Sequence, residues 1–191
     1  GALPANPMAV AATAHYLAPT GMPAAGGKLA LLFCDATAQQ VASQMNQLHF
    51  SLRETQLTSC ALNAFQRISS GVCTRTEALR YGLPAVAHTV AACQALRAVG
   101  EPVANTLEQA QALYGYLSQK SIPQTLRDLA INGDALLPLC EQANAPRKSI
   151  GTTLTALWEM VVEGGLPNQE SALRAEAIRL LGKPQGENHS P

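Results

Sequence analysis

The chain has 191 residues, 47% of them hydrophobic and 4% aromatic, and its thirteen basic and thirteen acidic side chains cancel. A neutral chain has no whole-molecule field to draw nucleic acid or a lipid surface, so any such contact must come from a local patch. No apolar run approaches the roughly 20 residues of a membrane span, so no membrane partner is expected. The length suits one domain or two small ones, with a core built from Leu, Ala, Val and Ile.

From the N-terminus, Pro7 to Leu17 reads as one helix with proline at its first position. The Pro/Gly-rich stretch 18–27 then reads as a linker. A helix from Lys28 to Phe33 pauses at Asp35. Asp35 or Thr37 caps the next one, in which Val41, Met45 and Leu48 share a face. Ser51, with Glu54 three residues on, forms a capping box. The helix it opens carries Leu57, Cys60/Ala61, Ala64/Phe65 and Ile68 at helical spacing and stops near Gly71. A short helix from Thr74 to Tyr81 ends at Gly82. Pro84 opens another that aligns Val86, Val90, Cys93 and Leu96 and ends at Gly100.

Asn105 or Thr106 caps a helix with the stripe Leu107, Ala110, Leu113/Tyr114 and Leu117, and a short helix carries Leu126 and Leu129. Beyond "INGD" a short helix runs to Leu139 or Cys140. Ser149 starts a strong helix with Ile150, Leu154, Leu157/Trp158 and Val161 inward, ended by "EGGLPN". Asn168 caps the last helix. Strand-type runs and fixed-period repeats are absent. The expectation is an all-α array of about nine or ten antiparallel-packed helices without a sheet. It divides into an N-terminal helix and linker (1–27), a helical body (28–121), a helical tail (122–182) and a disordered C-terminus (183–191).

Chemistry-bearing motifs are few. Cys34, Cys60, Cys73, Cys93 and Cys140 form no Cys-x-x-Cys pair, which points to buried thiols in a reducing, cytoplasmic setting. His15, His49, His88 and His189 are isolated, and none precedes an Asp, so neither a metal site nor a cofactor is expected. The triplet Asn132-Gly133-Asp134, between two apolar runs, is the most informative local feature. It has no flanking strands for a hairpin, no alternate acids for a calcium loop and no Gly-Lys-Ser/Thr run for a phosphate loop. What remains is a turn and a cap. Gly133 ends one helix with positive φ and Asp134 caps the next.

The residues that follow extend this reading. Ile131-x-Gly133-Asp134, Ile150-Gly151, a Leu-rich helix, Glu163-Gly164-Gly165-Leu166-Pro167-Asn168 and Leu173 succeed one another in an order that resembles the C-terminal body and tail of bacterial class II tRNA nucleotidyltransferases (CCA-adding enzymes) and their poly(A) polymerase relatives. The stretches "KLALLF" (28–33), "QMNQLHFSLRETQL" (44–57) and "RYGLP" (80–84) fit the same body more loosely. The loop "ANAPRKSIG" departs from the family pattern, being longer and basic.

The resemblance implies a tail that holds tRNA, or another RNA, while a head domain adds nucleotides to the 3′ end. The head would carry an Asp-x-Asp pair for two metal ions, and magnesium and nucleoside triphosphates would belong to it. No Asp-x-Asp or Glu-x-Asp occurs in these residues, so no catalytic residue is assigned and the chain is expected to be inactive alone. Its partners are then RNA, bound weakly, and the head and neck of the same protein. The local candidate for RNA is Arg147-Lys148-Ser149 at a helix start, with Gly151 permitting close backbone approach and Asn132 and Asn168 at neighbouring turns. Gly133, Asp134, Gly164 and Gly165 shape the turns. The alternative is a helical interaction or scaffold module without RNA binding.

Overall fold

In the computed structural model, which describes residues 6–182, every regular element is helical: α1 (Pro7–Ala12), α2 (Ala24–Leu32), α3 (Ala38–Gln47), α4 (Leu52–Ser69), α5 (Arg75–Tyr81), α6 (Leu83–Ala98), α7 (Ala104–Leu117), α8 (Gly133–Gln142), α9 (Ser149–Val162) and α10 (Glu170–Leu181). A 3₁₀ turn, Leu126–Asp128, lies between α7 and α8, and there is no strand among the described residues. The all-α reading therefore holds. The segment 183–191 lies outside the described residues. The helices fall into two compact units that divide after Ser118.

In the first unit α4 and α6 are central. α6 packs against α1, α2, α4, α5 and α7, and α4 against α2, α3, α5, α6 and α7. Alanines make this possible: Ala85, Ala87, Ala91, Ala92 and Ala95 of α6 are all buried, so neighbouring backbones approach closely. One cluster joins Ala9, Ala12, Tyr16 and Leu31 to Ala91, Ala92, Ala95 and Leu96. Another joins Ala30, Val41 and Met45 to Ala61, Leu62, Ala64 and Ala85.

Side-chain caps start several helices. Thr37 with Gln40, Ser51 with Glu54 and Thr74 with Glu77 are complete capping boxes. The hydrogen bonds from Ser51 hold the Glu54 carboxyl below its ordinary range, and those from Thr74 and Arg67 do the same for Glu77. Helix ends are fixed as economically. Gly100, at φ +92°, closes α6 with the Glu101 N–H on the Leu96 carbonyl at 3.1 Å. His49, at φ +60°, closes α3 in the same way, with Phe50 N–H on Met45 O at 3.0 Å.

Several local expectations are corrected. α1 stops at Ala12 rather than Leu17. The stretch read as linker contains the first turn of α2, with Gly26 and Gly27 buried inside the helix. Thr37, not Asp35, caps α3. Leu48, placed on a buried face, is 62% exposed because α3 has ended before it. α7 begins at Ala104, before Asn105 and Thr106, without a side-chain cap. Of the cysteines, Cys73, Cys93 and Cys140 are buried but Cys34 and Cys60 only partly so, and all five are free. Burial pushes the Cys93 thiol up to about 12, and burial with the neighbouring Asp35 pushes Cys34 up to about 11.

Candidate nucleic-acid interface

The second unit is assembled around α9. Leu157, Trp158, Val161 and Val162 are buried on it, and α8, α10 and the 3₁₀ turn all pack against it. The indole N–H of Trp158 donates to the Pro123 carbonyl at 3.0 Å, which fastens the segment leading into the 3₁₀ turn. That turn is closed by Thr125, whose N–H and hydroxyl donate to Asp128 Oδ2 at 2.7 and 3.0 Å. The chain then bends at Leu129 and Ala130, with Leu129 and Ile131 buried and Ala130 and Asn132 exposed, and brings Asn132 to the surface at the start of α8.

Asn132, not Asp134, is the N-cap of α8: its Oδ1 accepts the Ala135 N–H at 3.0 Å. Asp134 lies inside the first turn, where a carboxylate suits the helix dipole. Gly133 is the first residue of α8 and does not take a positive φ. A Cβ there would lie 3.5 Å from Ile150 Cγ2, an ordinary contact. That proximity also shows that the beginnings of α8 and α9 lie side by side.

Arg147 and Lys148 are exposed in the turn before α9, and neither has an ion-pair partner among the described residues. Ser149 is different: only 3% exposed, it is the first residue of α9, and the helix has no side-chain cap. Its N–H donates to Pro146 O at 2.8 Å and that of Ile150 to Arg147 O at 3.1 Å. Two of the amides expected to face a phosphate are thus already engaged. Gly151 is exposed, with nothing within 4 Å of where a Cβ would stand.

Asn168 does not cap α10, which begins after Gln169 without a side-chain cap. Its carboxamide instead clamps a distant backbone stretch, Oδ1 accepting the Ala130 N–H at 2.8 Å and Nδ2 donating to Asp128 O at 2.9 Å. Gly164, at φ +82°, ends α9 with Gly164 N–H on Val161 O and Gly165 N–H on Met160 O, at 3.0 and 2.9 Å. These two glycines lie at the end of α9 opposite Arg147 and Lys148, about 20 Å along the axis. The structure therefore gathers Asn132, Gly133, Asp134, Arg147, Lys148, Ser149 and Gly151 at one place. Asn168 holds the backbone that leads into it, and Gly164 and Gly165 lie at the far end of α9.

A further basic residue, which the sequence alone does not single out, stands near this place. Arg127 lines a shallow pocket of about 340 Å³ together with Ile131, Asn132, Ala135 and Glu170. Its position five residues before Asn132 was the available signal. Other scattered arginines are engaged elsewhere: Arg174 with Glu170 at 3.1 Å, Arg179 with Glu176, and Arg75 stacked 3.8 Å above the Tyr116 ring. Among the described residues no three His, Cys, Asp or Glu side chains group to hold a metal ion.

The described residues are thus an all-helical array with an exposed basic turn at the start of α9. Residues 27–177 match the family described as tRNA nucleotidyltransferase domain 2, and the chain belongs to that family. No curated protein and no solved structure matches it. No helix among the described residues is long and apolar enough to cross a membrane.

Proposed function

We propose that this chain is the RNA-holding body and tail of a tRNA nucleotidyltransferase-like protein, presenting tRNA to a catalytic head domain outside these residues. The observation that carries the reading is the family match over residues 27–177, which spans both units. The local chemistry supports it. Arg147 and Lys148 offer two unpaired cations to the RNA backbone, Gly151 leaves the α9 start open, and Asn132 and Arg127 stand at the neighbouring pocket. Magnesium and nucleoside triphosphates belong to the head in this reading, and the chain alone adds no nucleotides. The cytoplasm is the compartment that fits such a task.

The test is titration of labelled tRNA at low salt. The wild-type chain is expected to bind with a dissociation constant of about 10⁻⁴–10⁻⁶ M, the range of non-specific phosphate binding. An Arg147→Ala/Lys148→Ala variant is expected to bind several-fold more weakly. Equal binding by both chains refutes the basic turn as the contact. Absence of binding by either refutes RNA holding at this level and favours a scaffold module.

A further inference from the structure

Apart from that surface, the first unit contains a pocket of about 420 Å³, within the range of small-molecule sites. One wall is a face of α4, on which Arg53, Leu57 and Cys60 recur at helical spacing. Met22, from the loop before α2, and Tyr81 and Pro84, from the corner between α5 and α6, complete the apolar lining. Met22, Leu57, Cys60 and Tyr81 are each only partly buried, so apolar surface that the core leaves uncovered is gathered at one place.

Charge on this lining has one sign. Arg53, on the first turn of α4, is exposed at the pocket edge and has no ion pair among the described residues. No Asp or Glu lines the pocket among the described residues. The acid next to Arg53 in sequence, Glu54, is engaged by the Ser51 N–H and hydroxyl at 3.0 and 2.6 Å in the capping box. The imidazole of His88, at the buried end of the lining, is kept neutral by its surroundings. An apolar cavity thus carries one unanswered cation at its edge. From Arg53 to Cys60 the helix rises about 10 Å, so a ligand that reaches both is extended.

We propose that this pocket binds a medium-chain carboxylate, its apolar chain laid along Leu57 and Cys60 of α4 and its head group at Arg53. The guanidinium is on a long, exposed and unpaired side chain, free to turn over the opening and meet a carboxylate with two parallel N–H donors. A neutral head leaves that attraction unused, and a cationic head is repelled. A dianionic phosphate head would leave one charge unanswered, since no second cation lines the pocket among the described residues.

Octanoate serves as the probe, with octanamide and octylammonium as comparators, on the full 191-residue chain. Saturation-transfer NMR at low salt is expected to report octanoate binding with a dissociation constant on the order of 1 mM. Octanamide, of the same shape but uncharged, should bind about threefold more weakly, the worth of an exposed charge pair, and octylammonium more weakly still. Arg53→Gln, at an exposed position, should bring octanoate down to the octanamide value and leave octanamide binding unchanged. The place of binding is read at Cys60. Saturating octanoate should slow its alkylation several-fold, followed by peptide mass spectrometry, while Cys34, the other partly buried thiol, keeps its rate. Equal binding of octanoate and octanamide by the wild-type chain, undiminished octanoate binding by Arg53→Gln, or a Cys60 rate that octanoate does not move each overturns the proposal. So does the absence of any octanoate signal at about ten times the expected dissociation constant.

Discussion

A Cβ on Gly27 would collide with the hydroxyl of Tyr16 and with Nδ1 of His88 and would lie 2.7 Å from Tyr16 Cζ, so the hydrogen bond between those two side chains needs a residue without a side chain there. Replacing a helical glycine by alanine ordinarily stabilises by about 0.5–1 kcal/mol. Gly151→Ala, at an exposed helical site with nothing nearby, should follow that rule. Gly27→Ala should reverse it, costing about 1–3 kcal/mol through overpacking. Urea unfolding of the two variants checks the contrast, and equal effects would mean that the Tyr16–His88 pair has room to move. The pH dependence belongs to the same site. Burial holds the His88 pKa below its ordinary 6.5. The unfolded chain therefore takes up a proton near pH 6.5 that the folded chain accepts only at lower pH, and stability falls as pH drops through this window. Glu54 and Glu77, held below 4.5, stay ionised above about pH 5 and do not confuse the measurement. His88→Gln should flatten the decline in melting temperature between about pH 7.5 and 5.5.

Elements in the second unit are held together by side chains that reach far along the chain. Asn168 answers a backbone N–H and a backbone C=O at once, two bonds of 2.8 and 2.9 Å to residues 38 and 40 positions away. Asn168→Ala should cost about 1–3 kcal/mol, since both backbone groups lose their partner. Asn168→Asp, which keeps only the acceptor, should remain destabilised. Hydrogen exchange at the Ala130 amide is the direct readout, and a rate unchanged from wild type would refute the clamp. This clamp also shows where sequence reading stops. Ser51 with Glu54 is legible because both partners of a capping box lie within one turn. Gly164 is legible because a helix end demands its φ. Asn168 stands where a cap would stand, and only the fold shows that it serves distant backbone at Asp128 and Ala130. The glycine pair Gly26-Gly27 misleads in the opposite sense. Its propensity says linker, but close packing on Leu57, Tyr16 and His88 overrides that preference and keeps the pair helical. Ser149 follows cap chemistry by sequence, yet it is the first residue of α9 and buried, and the helix has no side-chain cap.

For the whole molecule, the absence of net charge limits what RNA binding can look like. Long-range steering needs a summed field, and thirteen positive and thirteen negative side chains provide none. Several arginines are moreover spent on local pairs, Arg67 with Glu77 at 2.8 Å, Arg174 with Glu170 and Arg179 with Glu176. Among the described residues Lys28, Arg53, Arg97, Lys120, Arg127, Arg147 and Lys148 have no ion pair, and on the proposed reading the attraction rests on the adjacent Arg147 and Lys148. Each phosphate neutralised on a duplex contributes about 0.9 to the slope of log affinity against log salt, so two contacts give a slope near −1.8. A dedicated nucleic-acid binder with six to ten contacts would instead lose about 10³–10⁵ in affinity between 50 and 200 mM salt. Titration of tRNA across that salt range separates the cases. A shallow slope that falls by about one unit when either Arg147 or Lys148 is replaced by alanine agrees with a holding surface of two cations. A steep slope in the wild-type chain, or one that neither replacement changes, places the RNA contact elsewhere on the molecule.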